Sequence, residues 1–367
     1  MRTSYALAVA LLLAALTLPL SLQAKDLIVG QSLDLSGATN LGKDFSNGIR
    51  TYFDSVNARG GVRGRKIQFI QLDDGGRSAD AQINIAKLLR EQEADVLIAP
   101  TSAETLSAAA KMPILRSTAL SLLGPPTGAE VDASGGSFRV LALRATFREE
   151  AKSLLDTLRT FNDGAIALVR GDGPDAGASH SALREEVMER KLKVAFEGTT
   201  ALWLAKKPSP ERIGAVIISG DAIGVMSALQ QARRAAPQAI LMGFSTVDHR
   251  TLLELVGTAA KGMMITQVVP PPGKTIHPFQ REHRALMKQY RDEPPSQHTL
   301  EGYIVARMLV AAFERVDGEP TAAKVSSALR AVGSMDFGPM RISPRADNAT
   351  SRYVDITAIS SKGGLVE

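Results

Sequence analysis

The chain has 367 residues, of which 44% are hydrophobic and 5% are aromatic, and its formal net charge is +5. It contains no cysteine, which excludes disulfide bonds, a thiol nucleophile and a thiolate metal site. Because 43 basic residues are interspersed with 38 acidic ones and aromatic side chains are few, the positive balance indicates a mildly basic surface rather than a nucleic-acid-binding one.

Residues 1–24 have the pattern of a secretory signal peptide. Arg2 supplies a positive charge, an apolar run extends from Ala6 to Leu20, and Ala24 precedes the charged pair Lys25-Asp26. The alternative is a membrane anchor, but the apolar run is shorter than the roughly 20 residues that span a bilayer. We therefore expect cleavage after Ala24, export to the periplasm and no stable insertion in the membrane.

The mature chain alternates apolar runs of strand length with segments of helical periodicity. The first half predicts strands at 27–33, 66–72, 96–99 and 112–115 and helices at 44–57 and 80–91. The second half predicts strands at 165–169, 192–196, 215–219 and 240–244 and helices at 179–190 and 222–235. Alternation of this kind is typical of a parallel sheet with helices on both faces, here formed twice.

The C-terminal part begins with a run of prolines, Pro270 to Pro272, which predicts a stiff crossover between two lobes. Helices are predicted after it at 278–291, 301–316 and 321–332, and strands near 340–342 and 353–356. In sheets of this type ligands bind at the carboxyl ends of the strands, so we expect the functional residues in the loops that follow the strands.

Several short strings, in this order, resemble the type I periplasmic solute-binding proteins of the branched-chain amino-acid and amide class of ABC importers. The strings include IVGQSLDLSG at 28–37, VNARGGVRGRKI at 56–67, PTSAETL at 100–106, LMG at 241–243 and EGY at 301–303. The resemblance implies an α/β fold with two doubly wound parallel-sheet lobes joined by a three-strand hinge. It implies lobe 1 at 25–143 plus 273–335 and lobe 2 at 144–272 plus 336–367.

The resemblance further implies a ligand site in the cleft between the lobes. In the family a serine after the third strand binds the carboxylate of the ligand, and Ser102, next to Thr101, matches it. A helix N-terminus favours anions, although either residue could instead only cap the helix. Thr118 falls after the next predicted strand. Further matching positions depart from the amino-acid binders: Leu120 replaces a threonine and Ser245 an acidic residue. At four positions an aromatic residue is replaced, namely at Leu41, at Asp175, at Asp221 or Ala222, and at His298.

These departures predict that leucine, isoleucine and valine are not ligands, because a buried ammonium without its carboxylate partner costs several kcal/mol. We expect a carboxylate-bearing or neutral polar small molecule. An amine or an unusual amino acid, held by Asp175 or Asp221, is the second possibility. Leu41 and Leu120 could equally be plain core residues.

The sequence predicts no enzyme. The glycine-rich segment 171–177 lacks the Gly-Lys-Ser/Thr of a phosphate loop, the five histidines lack zinc-site spacing, and Gly-x-Ser-x-Gly is missing. We expect no catalytic residue, metal or cofactor. The expected function is a monomeric solute receptor that delivers its small-molecule ligand to an inner-membrane ABC permease. The alternative is a sensor that presents its closed form to a membrane signalling protein.

Overall fold

The computed structural model describes residues 25–132, 138–161, 164–205, 212–343, 351–360 and 362–366. The predicted signal peptide lies outside the described residues. No helix in these ranges is both long and apolar enough to cross a membrane.

Strands and helices alternate through most of the chain. The strands are β1 (Leu27–Leu33), β2 (Ile67–Asp73), β3 (Val96–Ile98), β4 (Ser121–Leu123), β5 (Arg139–Leu141), β6 (Ala165–Arg170), β7 (Val194–Thr199), β8 (Ile213–Ser219), β9 (Ile240–Gly243), β10 (Met264–Gln267), β11 (Met335–Phe337), β12 (Met340–Ile342), β13 (Asp355–Ile359) and β14 (Leu365–Val366). The helices are α1 (Leu41–Ala58), α2 (Ser78–Arg90), α3 (Ala103–Ala110), α4 (Pro113–Arg116), α5 (Phe147–Phe161), α6 (Ala176–Glu189), α7 (Thr200–Ala205), α8 (Met226–Ala235), α9 (His249–Val256), α10 (Pro278–Tyr290), α11 (Gln297–Phe313) and α12 (Ala322–Ala331).

The first sheet has five parallel strands in the order β2-β1-β3-β4-β5. Successive side chains of a strand point to opposite faces, and β3 follows this rule. Val96 and Ile98 belong to the hydrophobic cluster formed with α1, α10, α11 and α12. Leu97 belongs to the cluster on the other face, formed with α2 and α3. Helices therefore cover both faces, as the sequence predicts.

The second sheet has seven strands in the order β14-β13-β10-β9-β8-β6-β7. Five of its strands are parallel, namely β10, β9, β8, β6 and β7. Strand β13 runs antiparallel to β10 and to β14. On β8, Val216 and Ile218 pack into one cluster and Ala215 and Ile217 into the cluster on the opposite face. This sheet, too, is covered by helices on both faces.

The chain passes between the two sheets three times. The passages lie between Leu141 and Phe147, between Gln267 and Pro278, and between Ile342 and Asp355. The predicted fold class, two doubly wound parallel sheets joined by three crossings, is therefore confirmed. The lobe boundaries stay a prediction. Phe337, Met340 and Ile342 pack with the helices of the first sheet, which favours placing β11 and β12 in lobe 1.

Two glycines allow α1 and α11 to approach closely. A Cβ atom at Gly48 would lie 1.9 Å from the carbonyl oxygen of Thr299, and one at Gly302 would lie 2.1 Å from that of Phe45. Any larger residue would push the helices apart, since packed interiors have no space to absorb the atom. This contact fixes the N-terminal end of α11, which borders the cleft described below.

The prediction of a strand at 112–115 is wrong. Pro113 begins the short helix α4 there, and the fourth strand of the sheet is β4, at Ser121–Leu123. Proline has no N–H to donate to a central strand, but its fixed φ suits the first turn of a helix. Thr118 and Leu120 therefore precede the strand instead of following it.

Candidate functional site

The carboxyl ends of both sheets face a common cleft, and a small cavity of about 40 Å³ lies within it. It brings together six of the nine residues that the sequence selects as ligand contacts: Leu41, Thr101, Ser102, Asp175, Asp221 and His298. The clustering follows from the parallel topology, which brings the loops after the strands to one edge of each sheet. A role of these residues in ligand binding stays a prediction.

Asp175, in the loop before α6, reaches across the cleft to the first sheet. Its Oδ1 atom accepts the backbone N–H of Ala103 at 2.7 Å and the Thr127 hydroxyl at 3.0 Å. Ala103 is the first residue of α3, so a carboxylate of the protein itself lies at the helix N-terminus, where the sequence predicts the carboxylate of a ligand.

Burial dominates the electrostatics of Asp175, which is only 4% exposed. Burial raises the pKa of this carboxyl to about 6, because a charged group is poorly solvated there. The hydrogen bonds from Ala103 and Thr127 act in the opposite direction, and so does the nearby Arg144. The carboxylate at this position is therefore held by good hydrogen bonds at a considerable cost of desolvation.

Ser102 caps helix α3. Its Oγ atom accepts the N–H of Thr105 at 3.2 Å, and the hydroxyl of Thr105 accepts the N–H of Ser102 at 3.3 Å. This reciprocal pair is a capping box, which satisfies two of the unpaired donors at the helix start. Thr101 lies beside it, where its hydroxyl oxygen accepts the N–H of Asp34 at 3.5 Å.

Thr118 and Leu120 lie at the amino end of β4, at the opposite edge of the sheet from the cleft. The Thr118 hydroxyl donates to the carbonyl oxygen of Leu115 at 3.0 Å, and Leu120 is 1% exposed within a hydrophobic cluster. The structure does not bring them to the other predicted residues, because the residues predicted as a strand form α4 and the actual strand β4 begins after Leu120. The residue after β4 that reaches the cleft is Thr127. The buried run 121–123 and its Gly-Pro-Pro ending are the signal that could have identified it.

The small cavity is strongly acidic. Four carboxylates line it, those of Asp34, Asp175, Asp221 and Asp248, and no lysine or arginine is among its described lining residues. Burial raises the pKa of Asp221 above its usual range. For Asp248 burial acts in the same direction, but two hydrogen bonds from Thr251 lower its pKa below the ordinary value. A local excess of negative charge favours cations and hydrogen-bond donors.

Ser245 belongs to a buried network at the first crossing between the sheets. Its hydroxyl donates to Glu150 at 3.0 Å and also contacts Arg144. The Arg144 guanidinium binds Glu150 at 2.9 Å and Glu301 at 3.4 Å, and the side chains of Arg144 and Glu150 are 2% and 0% exposed. The hydroxyl of Ser245 therefore orients this ion-pair network.

A larger cavity of about 590 Å³ adjoins the small one and shares Asp248 and His298 with it. Its lining comes from the loop after β9, the proline crossing, the start of α11 and the C-terminal strands: Ser245, Val247, Asp248, His249, Arg250, Gln267, Pro271, Pro272, Gly273, Lys274, Pro295, Ser296, Gln297, His298, Thr357, Leu365 and Val366. Ligand cavities usually have volumes of about 300–1,000 Å³. This cavity is therefore large enough to hold a small molecule, and it is displaced from Ser102 toward the proline crossing.

Solved structures with the same fold support the description of the two sheets. An extracellular ligand-binding receptor from Verminephrobacter eiseniae superposes with a TM-score of 0.82 at 22% identity, over 93% of this chain and 100% of that one. A possible leucine/isoleucine/valine-binding protein from Rhodopirellula baltica gives 0.82 at 25% identity, over 94% and 97%. A branched-chain amino-acid ABC transporter protein from Thermus thermophilus with bound valine gives 0.78 at 17%, over 94% and 96%.

A search among curated proteins gave no match to the chain. The model of the periplasmic binding protein family matches residues 27–364 of the 367-residue chain. Two parallel sheets with a shared cleft, three crossings between them and this match agree, and the chain belongs to the periplasmic binding protein family, as a type I member.

Proposed function

We propose that the protein is a periplasmic receptor that captures a small polar molecule between its two lobes and delivers it to an ABC importer. The observation that carries this proposal is the cavity of about 590 Å³ between loops of the two sheets. A molecule enclosed there contacts both lobes, so it stabilises the closed form relative to the open one. Cleft closure around a solute requires no catalytic residue.

Contacts across the cleft provide the closed arrangement. Gln297 at the start of α11 donates to the carbonyl oxygen of Ser245 at 3.0 Å, and Arg250 forms an ion pair with Asp44 at 3.2 Å. The bonds that Asp175 accepts from Ala103 and Thr127 are further contacts of this kind. Each is worth about 1 kcal/mol net. A bound solute can shift a closing equilibrium whose contacts are individually this weak.

The electrostatics of the cleft narrow the class of ligand. The N-terminus of α3 is already neutralised by Asp175, and three further carboxylates line the small cavity. A ligand carboxylate placed there would meet like charge in a desolvated site, which is unfavourable. For the part of a ligand that reaches the small cavity, we therefore favour a neutral polar or amino group over a carboxylate.

A thermal-shift screen against metabolites tests the proposal, because a ligand that binds only the folded protein raises its Tm by mass action. We expect stabilisation by neutral or cationic solutes and none by leucine, isoleucine or valine at millimolar concentration. A strain without the gene should then take up less of the labelled hit. Stabilisation by leucine, or uptake that does not change, would contradict the proposal.

A further inference from the structure

The side chain of Asp175 joins the two lobes directly. Asp175 precedes α6 of the second sheet, and its backbone carbonyl oxygen accepts the N–H and the hydroxyl of Ser179 in the first turn of that helix. Its Oδ1 atom lies across the cleft, 2.7 Å from the nitrogen of Ala103 and 3.0 Å from the hydroxyl oxygen of Thr127. The carboxyl group is therefore attached to the second lobe and bound by the first.

The two donors on the first lobe are held in place for this contact. Ala103 follows the cap residue Ser102, whose reciprocal bonds with Thr105 fix the first turn of α3. The Thr127 oxygen accepts the N–H of Ala129 at 3.2 Å, and its own proton is donated to Asp175. Two fixed donors thus converge on one carboxyl oxygen of the other lobe.

The charged groups around Asp175 make its negative charge unfavourable while the cleft is closed. The nearby cation, Arg144, already binds Glu150 and Glu301. The other titratable groups that face Asp175 from the surrounding elements are five carboxylates and an imidazole, namely Asp34, Glu104, Glu150, Asp221, Asp248 and His298. When the lobes separate, the carboxyl group of Asp175 meets water, which solvates its charge and screens this repulsion.

Closing of the cleft is therefore linked to protonation of Asp175. In the closed form burial raises its pKa to about 6, whereas in an open cleft the carboxyl regains its ordinary pKa of 3.8. Because the closed form binds the proton more tightly, closing is most favourable below about pH 3.8 and weakens as the pH rises to about 6. The neutral carboxyl keeps an oxygen that accepts both hydrogen bonds, so protonation preserves the contact.

We propose that Asp175 is a latch of the cleft, which closes the second lobe on the first through Ala103 and Thr127 and holds it more tightly as the medium becomes acidic. Closing then depends on two ligands, the solute and the proton. This inference rests on the movement of the lobes in the proposed function and adds a regulation of the same cleft. We expect the latch to populate the closed form without a solute, and more so at low pH.

A pair of spin labels beside the latch measures the closing. The chain has no cysteine, so Lys87→Cys in α2 and Glu185→Cys in α6, both at exposed positions, provide one labelled pair. Helix α2 packs with α3 in one hydrophobic cluster and α6 begins after Asp175, so the distance between the labels should lengthen when the latch opens. Pulsed EPR on the solute-free protein should give a closed-to-open ratio about tenfold larger at pH 5 than at pH 8. An equal ratio at the two pH values would overturn the latch.

Substitutions in the loop before α6 assign the response to one carboxyl group. Asp175→Ala lacks the acceptor and should shift the distances toward the open form at both pH values. Asp175→Asn keeps a carbonyl oxygen for the two donors but cannot ionise, so it should stay closed at both. Asp172→Asn changes an exposed carboxylate of the same loop, and this matched control should respond to pH as the parent does. A pH response that persists in both Asp175 variants would assign the proton to another group, such as His298, and overturn the latch.

A change on the opposite lobe provides an independent test. Thr127→Val removes one of the two donors with little change of shape and should lower the closed-to-open ratio about tenfold. Asp175 still ionises in this variant, so the dependence on pH should remain. An unchanged ratio would exclude Thr127 from the latch and contradict the proposal.

The outcomes separate this inference from the proposed function. A metabolite from the thermal-shift screen that shortens the distance between the labels, in a protein whose distances ignore both pH and the Asp175 substitutions, would overturn the latch and leave the receptor intact. Distances that ignore pH, the substitutions and every metabolite would overturn both.

Discussion

Replacing Asp175 by asparagine should make the protein more stable at neutral pH. The asparagine carbonyl can still accept the N–H of Ala103 and the hydroxyl of Thr127, but the side chain cannot ionise. Burial raises the pKa of this carboxyl from 3.8 to about 6. At 1.36 kcal/mol per unit, ionisation of Asp175 costs the folded state about 3 kcal/mol.

The sign of the pH dependence follows from linkage. The folded protein binds the proton of Asp175 more tightly than the unfolded chain does, so the stability from this group is fully present below about pH 3.8. It falls as the pH rises and is lost above about pH 6. Asparagine does not ionise, so the stability of the variant does not fall in this way. Its free energy of unfolding should equal that of the parent at about pH 4 and exceed it by about 3 kcal/mol at pH 8.

Urea unfolding between pH 4 and pH 8 measures the effect. The fluorescence of Trp203, the single tryptophan and only 1% exposed, reports the transition. Asp292→Asn, at an exposed position, removes one charge without the burial and is the control. A variant at Asp175 that is less stable than the parent at pH 8 would refute the reasoning, because it would mean that the hydrogen bonds to the ionised carboxylate outweigh its desolvation.

Three further substitutions test contacts that hold the elements around the cleft in place. Gly48→Ala places a methyl group against the Thr299 carbonyl oxygen and should destabilise the fold by about 3 kcal/mol, measured by thermal unfolding; an unchanged Tm would contradict the close packing of α1 on α11. Arg144→Met leaves two buried glutamates without their cationic partner and should cost about 3–5 kcal/mol in urea unfolding at pH 7. Ser102→Ala removes the cap of α3 and should cost about 1 kcal/mol; a much larger loss of ligand affinity than of stability would instead assign Ser102 to direct binding.

Local periodicity predicted the elements well because it depends on residues close in sequence. The apolar run 27–33 is β1 over its full length, and the helical spacing at 80–91 corresponds to α2 at Ser78–Arg90. The failure at 112–115 has a local cause as well. Four apolar residues in a row are compatible with a short strand or a short helix. Pro113 favours the helix, because its fixed φ suits the first helical turn.

The candidate site was harder to predict because its chemistry arises between residues far apart in the chain. The sequence selects Asp175 as a cleft residue, and the fold places it there. Its partners at Ala103 and Thr127 depend on how the second sheet meets the first, which no local pattern encodes. The larger cavity was missed for the same reason, because its lining comes from the loop after β9, the proline crossing, the start of α11 and the C-terminal strands.

The sequence by itself determined the alternation of strands and helices, the two parallel sheets and the edge at which the loops gather, since these follow from apolar periodicity and from the chirality of strand connections. The tertiary structure alone decided which polar groups in the cleft are already satisfied. It placed Asp175 at the N-terminus of α3 and formed a cavity of about 590 Å³ beside the proline crossing. Hydrogen-bond satisfaction and cavity volume depend on the distances between packed elements, and only the folded chain sets those distances.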